Sequence, residues 1–135
     1  MENRERFRTK ESPLRTKSFA FALRCIQTYK KLANGQREFV LSKQLLRSGT
    51  SIGSNVEEAN QAESRADFIH KLSIANKEAN ETRYWLRLLR DSSTLTSADA
   101  DQLLSDCEEL IRLLISSLKT AKENLNRNRT KSKSL

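Results

Sequence analysis

Apolar residues recur along this chain at alternating steps of three and four, the period of a helix with one buried face, in four separate stretches. In the first, about 15–33, Phe19, Ala22, Leu23, Ile26, Tyr29 and Ala33 share a face. The Asn34-Gly35 pair then predicts a stop, because glycine takes left-handed dihedrals without penalty. The second stretch starts near Gln36 and carries Leu41, Leu45, Ser48, Ile52, Val56 and Ala59. Its middle, residues 48–55, is rich in poor helix formers, and each glycine there costs about 1 kcal/mol relative to alanine. The apolar steps keep phase across it, which favours one continuous helix with a small-residue face over a break.

The third stretch opens at Ser64 with Asp67 three residues on, a capping box with Asp in place of Glu. Phe68, Leu72, Ala75, Ala79, Thr82, Leu86 and Leu89 then form a heptad seam, with Ile74, Glu78, Glu81, Trp85 and Leu88 beside it. The fourth opens after Thr96, with Asp99 and Asp101 placed to suit the positive end of a helix. Ala100, Leu104, Cys107, Ile111, Leu114, Leu118, Ala121 and Leu125 make its seam, and Leu103, Leu110 and Leu113 add a second face. Short connections near 34–35, 60–64 and 92–96 force neighbouring helices antiparallel. The expected fold is all-α, an up-down-up-down four-helix bundle over residues 15–125. Trp85, Leu88, Leu103 and Leu113 exceed what four helices need to cover, so a homo-oligomer is expected, with these residues at its interface. Asn55, beside Ile52 and Val56, joins them as a polar contact able to fix register or oligomeric state.

Composition narrows the function. A chain of 135 residues is one domain that can bury roughly two-thirds of its unfolded surface without a disulfide or metal. Three Gly and one Pro leave too few turns for an all-β protein and no glycine-rich phosphate loop. No run approaches the ~18 apolar residues of a membrane span, and no secretory signal is visible, so a cytoplasmic protein with no membrane partner is expected. Cys25 and Cys107 then read as reduced core thiols. With one His, the Asp67/His70 pair has no second copy to complete a carboxylate-bridged di-metal site, and no nucleophile motif is present. Glu57-Glu58 and Glu78/Glu81, matched by Lys77 and Arg83 nearby, read as interhelical ion pairs or solvated faces. No catalytic, cofactor or metal residue is expected, and the protein is not expected to be an enzyme.

Charge is unevenly placed. The net +8 comes from 25 Lys+Arg against 17 Asp+Glu, yet residues 21–118 are balanced. The excess sits in the ends, +3 over residues 1–20 and +5 over 119–135; these include a flexible basic arm over 1–14 and, over 126–135, a disordered basic tail too polar to offset its ordering entropy. Lys119, Lys122, Arg127, Arg129, Lys131 and Lys133 are candidates for sequence-independent phosphate contact, with simple solubility as the alternative. Arg83, Arg87 and Arg90 form a second candidate stripe, with salt bridges to Glu81 or Asp91 as its alternative.

Residues 45–89 resemble a known bacterial family. The matching elements are Arg47, Ser51-Ile52, Ser54-Asn55-Val56, Glu58, Asp67-Phe68-Ile69, Lys71-Leu72-Ser73-Ile74-Ala75, Lys77-Glu78-Ala79 and Glu81-Thr82. They resemble the "four helix bundle protein" family, related to proteins encoded by intervening sequences in large-subunit ribosomal RNA genes. A weaker match covers 17–120. Gly53, Glu57 and Ala59 depart from the ribosomal-intervening members, where Pro, Ala and Gly are common. The resemblance implies a ring-like homopentamer without enzymatic activity. A similar fold occurs in retroelement accessory proteins, basic pentamers that bind a reverse transcriptase and nucleic acid. The expected function is thus a homo-oligomeric scaffold with sequence-independent affinity for RNA or DNA. The alternative is an accessory subunit of a reverse transcriptase or other nucleic-acid enzyme. A metal-carboxylate bundle enzyme comes last.

Overall fold

The computed structural model describes residues 12–134, and side-chain exposure through Lys131. Most of the expected basic arm, residues 1–11, lies outside the described residues, as do Leu135 and the side chain of Lys133. Four helices follow in order: α1 (Pro13–Gln36), α2 (Val40–Asn60), α3 (Arg65–Asp91) and α4 (Ser97–Ser134). Each packs antiparallel on the next, and α1 returns against α4, as an up-down bundle requires.

Local chemistry sets the boundaries. Ser12 caps α1 by accepting from the Arg15 amide, with Pro13 in the first turn, where its missing N–H is no loss. Helix α1 runs through Gly35, just past the expected stop. It ends at Arg37, which holds φ 55°, with the Arg37 and Glu38 amides both returning to the Leu32 carbonyl. Glu38 then starts α2: its carboxylate accepts from the Val40, Leu41 and Ser42 amides, satisfying donors that have no partner within the helix. Burial pushes the Glu38 carboxyl up, but these hydrogen bonds outweigh that and hold it below its ordinary value. Ser64 and Thr96 cap α3 and α4 by accepting from the Asp67 and Asp99 amides, as the sequence spacing predicts.

The seams of α2, α3 and α4 bury as expected except at Leu41 and Leu125, which are half-buried: Leu45, Ile52, Val56, Leu72, Leu86, Leu89 and Leu114 are fully enclosed. Thr82, the one polar residue on the α3 seam, is buried with its hydroxyl donating to the Glu78 carbonyl. Helix α2 is continuous, and its small residues set a close approach to α1. A Cβ at Gly49 would overlap the Cys25 sulfur, and one at Gly53 would stand 3.3 Å from the Ser18 carbonyl oxygen.

That approach corrects the reading of α1. The buried face is Leu14, Ser18, Phe21, Cys25, Leu32 and Ala33. Of the stripe read from the sequence only Ala33 is buried; Phe19 and Leu23 are 64% and 47% exposed. Helix α1 has two apolar stripes, and the one holding small Ser18 and Cys25 can come close enough to Gly49 to interlock.

Candidate nucleic-acid interface

The interface begins with the length of α4. Residues 126–135, expected as a disordered tail, instead continue the helix to Ser134. No Gly or Pro interrupts 97–134, Lys and Arg are good helix formers, and extending an existing helix needs no new nucleus. Cations also suit the negative C-terminal end of a helix. Tertiary burial alone would leave this segment disordered; local propagation from the packed part of α4 orders it.

Neighbours cover α4 only part of the way. The Cys107 thiol donates to the Ala79 carbonyl and Arg90 bridges to Asp101, which fixes the antiparallel register of α3 on α4. Arg65, the first residue of α3, then lies level with about Ala121. Ala121 is the last buried residue of α4; Asn124 and Leu125 are half-buried, and 126–131 are exposed. At about 1.5 Å per residue, the segment from Lys122 projects roughly 20 Å.

The charges along this segment differ from those in the bundle. Many of the bundle cations among the described residues are held in ion pairs. Arg15 meets Glu57, and Lys71 meets Glu58. Arg47 joins both Glu78 and Glu81, and Arg90 joins Asp91 and Asp101. Lys17–Glu109, Arg24–Asp106 and Lys31–Asp99, each 3.0 Å, bridge α1 to α4 along the least closely packed seam. Lys119, Lys122, Arg127, Arg129 and Lys131 are exposed and make no ion pair among the described residues. The same holds for Lys30, Arg37, Lys43, Lys77, Arg87 and Arg112 on the bundle, but those are scattered over a body of balanced charge, whereas the first five are crowded on one segment of α4. Beyond Glu109 the only acid on α4 is Glu123. Because the bundle is up-down, α1 starts at the pole where α4 projects; Arg4, Arg6, Arg8 and Lys10 lie outside the described residues.

The Arg83, Arg87 and Arg90 stripe is divided by its partners. Arg90 is engaged by two aspartates, Arg83 donates to Asn80 at 3.1 Å, and Arg87 is exposed. The salt-bridge alternative holds for Arg90 with Asp91, whereas Glu81 is taken by Arg47. Sequence reasoning does not find this Arg47–Glu78–Glu81 cluster, with the Trp85 indole donating to Glu81, as a unit. Its signal is present in the Glu78, Glu81 and Trp85 stripe, but the partner lies on another helix.

The expected interface residues also separate. Trp85 and Leu88 are half-buried, with Trp85 edge-on to exposed Tyr84. Leu113 is half-buried against the core. Leu103 is only 5% exposed, so the subunit itself covers it; it lines an open groove of about 230 Å³ between α1 and α4, together with Arg24, Lys31 and Asp99. Asn55 is half-buried and donates to the Ser51 carbonyl of its own helix at 2.8 Å. Exposed apolar residues lie instead at Phe19 and Leu23, one turn apart on α1, at Phe39 and Val40 where α2 begins, and at Tyr84 and Ile115.

Both cysteines are buried thiols. Burial pushes each up to about 12, with Cys107 adding to the rise at Cys25. Glu57, Glu58, Glu78 and Glu81 form interhelical ion pairs, the first of the two expected alternatives, but with Arg15, Lys71 and Arg47 as partners and not Lys77 or Arg83. Among the described residues no group of three or more His, Cys, Asp or Glu could hold a metal ion. No helix among them is long and apolar enough to cross a membrane.

Comparison with known proteins agrees with this architecture. No curated protein matches the chain. A crystal structure of a protein of unknown function from the S23 ribosomal protein family of Bacteroides thetaiotaomicron is 55% identical. It aligns with a TM-score of 0.77, over 78% of this chain and 98% of that one. The family model described as 23S rRNA-intervening sequence protein matches residues 10–116, which takes in α1, α2, α3 and α4 as far as Ser116. The chain therefore belongs to the 23S rRNA-intervening sequence protein family.

Proposed function

We propose that the protein is a non-enzymatic, self-associating helical scaffold that binds nucleic acid through phosphate contacts without sequence preference. The observation that carries the reading is the concentration of unbalanced charge. Residues 21–118 sum to zero, while the α4 end carries Lys119, Lys122, Arg127, Arg129 and Lys131, exposed and without an ion pair among the described residues, against the single acid Glu123. Unpaired Lys and Arg on one pole are what counterion release from a polyanion requires. Self-association, as the homopentamer the family resemblance implies, is supported by the exposed Phe19/Leu23 stripe and the half-exposed Trp85. Five copies of +8 would gather about +40 on the assembly.

Light scattering and nucleic-acid binding on the intact chain and on a chain lacking 126–135 test this reading. The expected result is a mass near five times 15.5 kDa for both, with binding weakened only in the shortened one. A monomer at micromolar concentration would contradict the scaffold, and unchanged binding would contradict the role of the α4 end.

A further inference from the structure

The projecting end of α4 has a more specific geometry than a basic tail. Successive residues of a helix turn by about 100°, so Lys122 and Arg129 share one side while Arg127 and Lys131 share nearly the opposite one. All four are exposed, and none is paired among the described residues. Between the two rows, one flank carries Asn126 with Glu123 and Thr130, and the other carries Asn128 with half-buried Leu125; Asn124 lies beside the Arg127 and Lys131 row. Helix α4 carries no Phe, Tyr or Trp anywhere in 97–134.

Each feature selects among nucleic acids. Single strands are held by stacking bases on aromatic side chains, and this segment offers none. A lone helix is about 10–12 Å across with its side chains, close to the ~12 Å width of the major groove of duplex DNA. The major groove of A-form RNA is too deep and narrow to admit side chains. Cation rows on opposite sides of one helix match the two phosphate walls of a groove. Only one flank can face the floor; that of Asn128 carries no acid, and its amide suits polar contact with base edges there.

We infer that residues 122–134 of α4 form a duplex-DNA element that lies in the major groove, Lys122 and Arg129 against one phosphate wall and Arg127 and Lys131 against the other. Continuous helices running from an oligomerised body into the major groove are an established docking mode. The inference rests on the phosphate-binding reading above and specifies its partner.

The test measures binding of the full chain to a 20-base-pair DNA of arbitrary sequence, the double-stranded RNA of the same sequence, and one DNA strand, over a salt series. Duplex DNA is expected to bind at least about tenfold more tightly than either rival. The pair Lys122→Ala/Arg129→Ala and the pair Arg127→Ala/Lys131→Ala should each lower the salt slope by about 2, near 0.9 for each phosphate no longer neutralised. Alanine favours helix and the positions are exposed, so circular dichroism should show both variants folded. Equal binding of the three nucleic acids, or preference for RNA, would overturn the inference and leave general phosphate binding standing. A slope moved by only one pair would overturn the two-walled placement. No binding at low salt would overturn both the inference and the reading beneath it.

Discussion

The clearest residue-scale lesson lies at Gly49. Its Cα stands where a Cβ would overlap the Cys25 sulfur and come within 3.2 Å of the Cys25 Cβ, in a core that cannot yield easily. Gly49→Ala is expected to destabilise by about 1–3 kcal/mol despite alanine's better helix propensity. Gly35→Ala is the control: nothing lies within 4 Å, so it should be neutral or stabilising by roughly 0.5–1 kcal/mol. Chemical denaturation of both variants checks the pair, and equal effects would contradict the close-packing account. The thiols offer a pH test. Their native values near 12 exceed the ordinary value of 9.0, so between these limits the unfolded chain loses protons that the native state keeps. Stability should fall as pH rises through that window, and a thiol reagent at pH 8 should label neither cysteine until the protein is unfolded.

At the scale of elements, the sequence is most legible where large apolar residues keep a single phase. The α3 seam from Phe68 to Leu89 matches the buried face residue for residue, and the Ser64 and Thr96 caps follow from spacing. Helix α1 misleads because it offers two stripes, and hydrophobicity favours the bulkier one. The choice belongs to a partner helix whose Gly49 accommodates Cys25. The α4 extension misleads for a different reason, since no tertiary contact marks it and only the absence of a stop signal does. Glu38 carries no sequence signal of its own: it precedes α2 and caps three amides from outside it. Glu38→Ala should cost about 1 kcal/mol at neutral pH. The carboxylate is held below its ordinary value, so its contribution is full above the unfolded value of 4.5 and lost as pH falls through the native one. An acid titration of stability, wild type against variant, should show the difference vanish at low pH.

For the whole molecule, the pattern of charges separates a neutralised bundle from a basic pole. The expected interface moves with the corrected α1 face: Phe19 and Leu23 are exposed on the bundle, whereas Leu103 is covered by its own subunit. Phe19→Asp with Leu23→Asp should reduce the mass seen by light scattering while leaving helicity unchanged, because neither side chain belongs to the core. An unchanged mass would place self-association elsewhere, with Trp85→Ala the next variant to measure. The candidate site is legible in the sequence as composition and not as shape. The six basic residues from Lys119 to Lys133 are visible there, but their support on a projecting helix becomes clear only with the register of α3 on α4. The most direct measurement is the dependence of nucleic-acid affinity on salt for the intact chain and for one lacking 122–135. The account predicts a steep slope for the intact chain that falls by about 3 or more on truncation, near 0.9 for each phosphate released. Equal slopes for the two chains would contradict it.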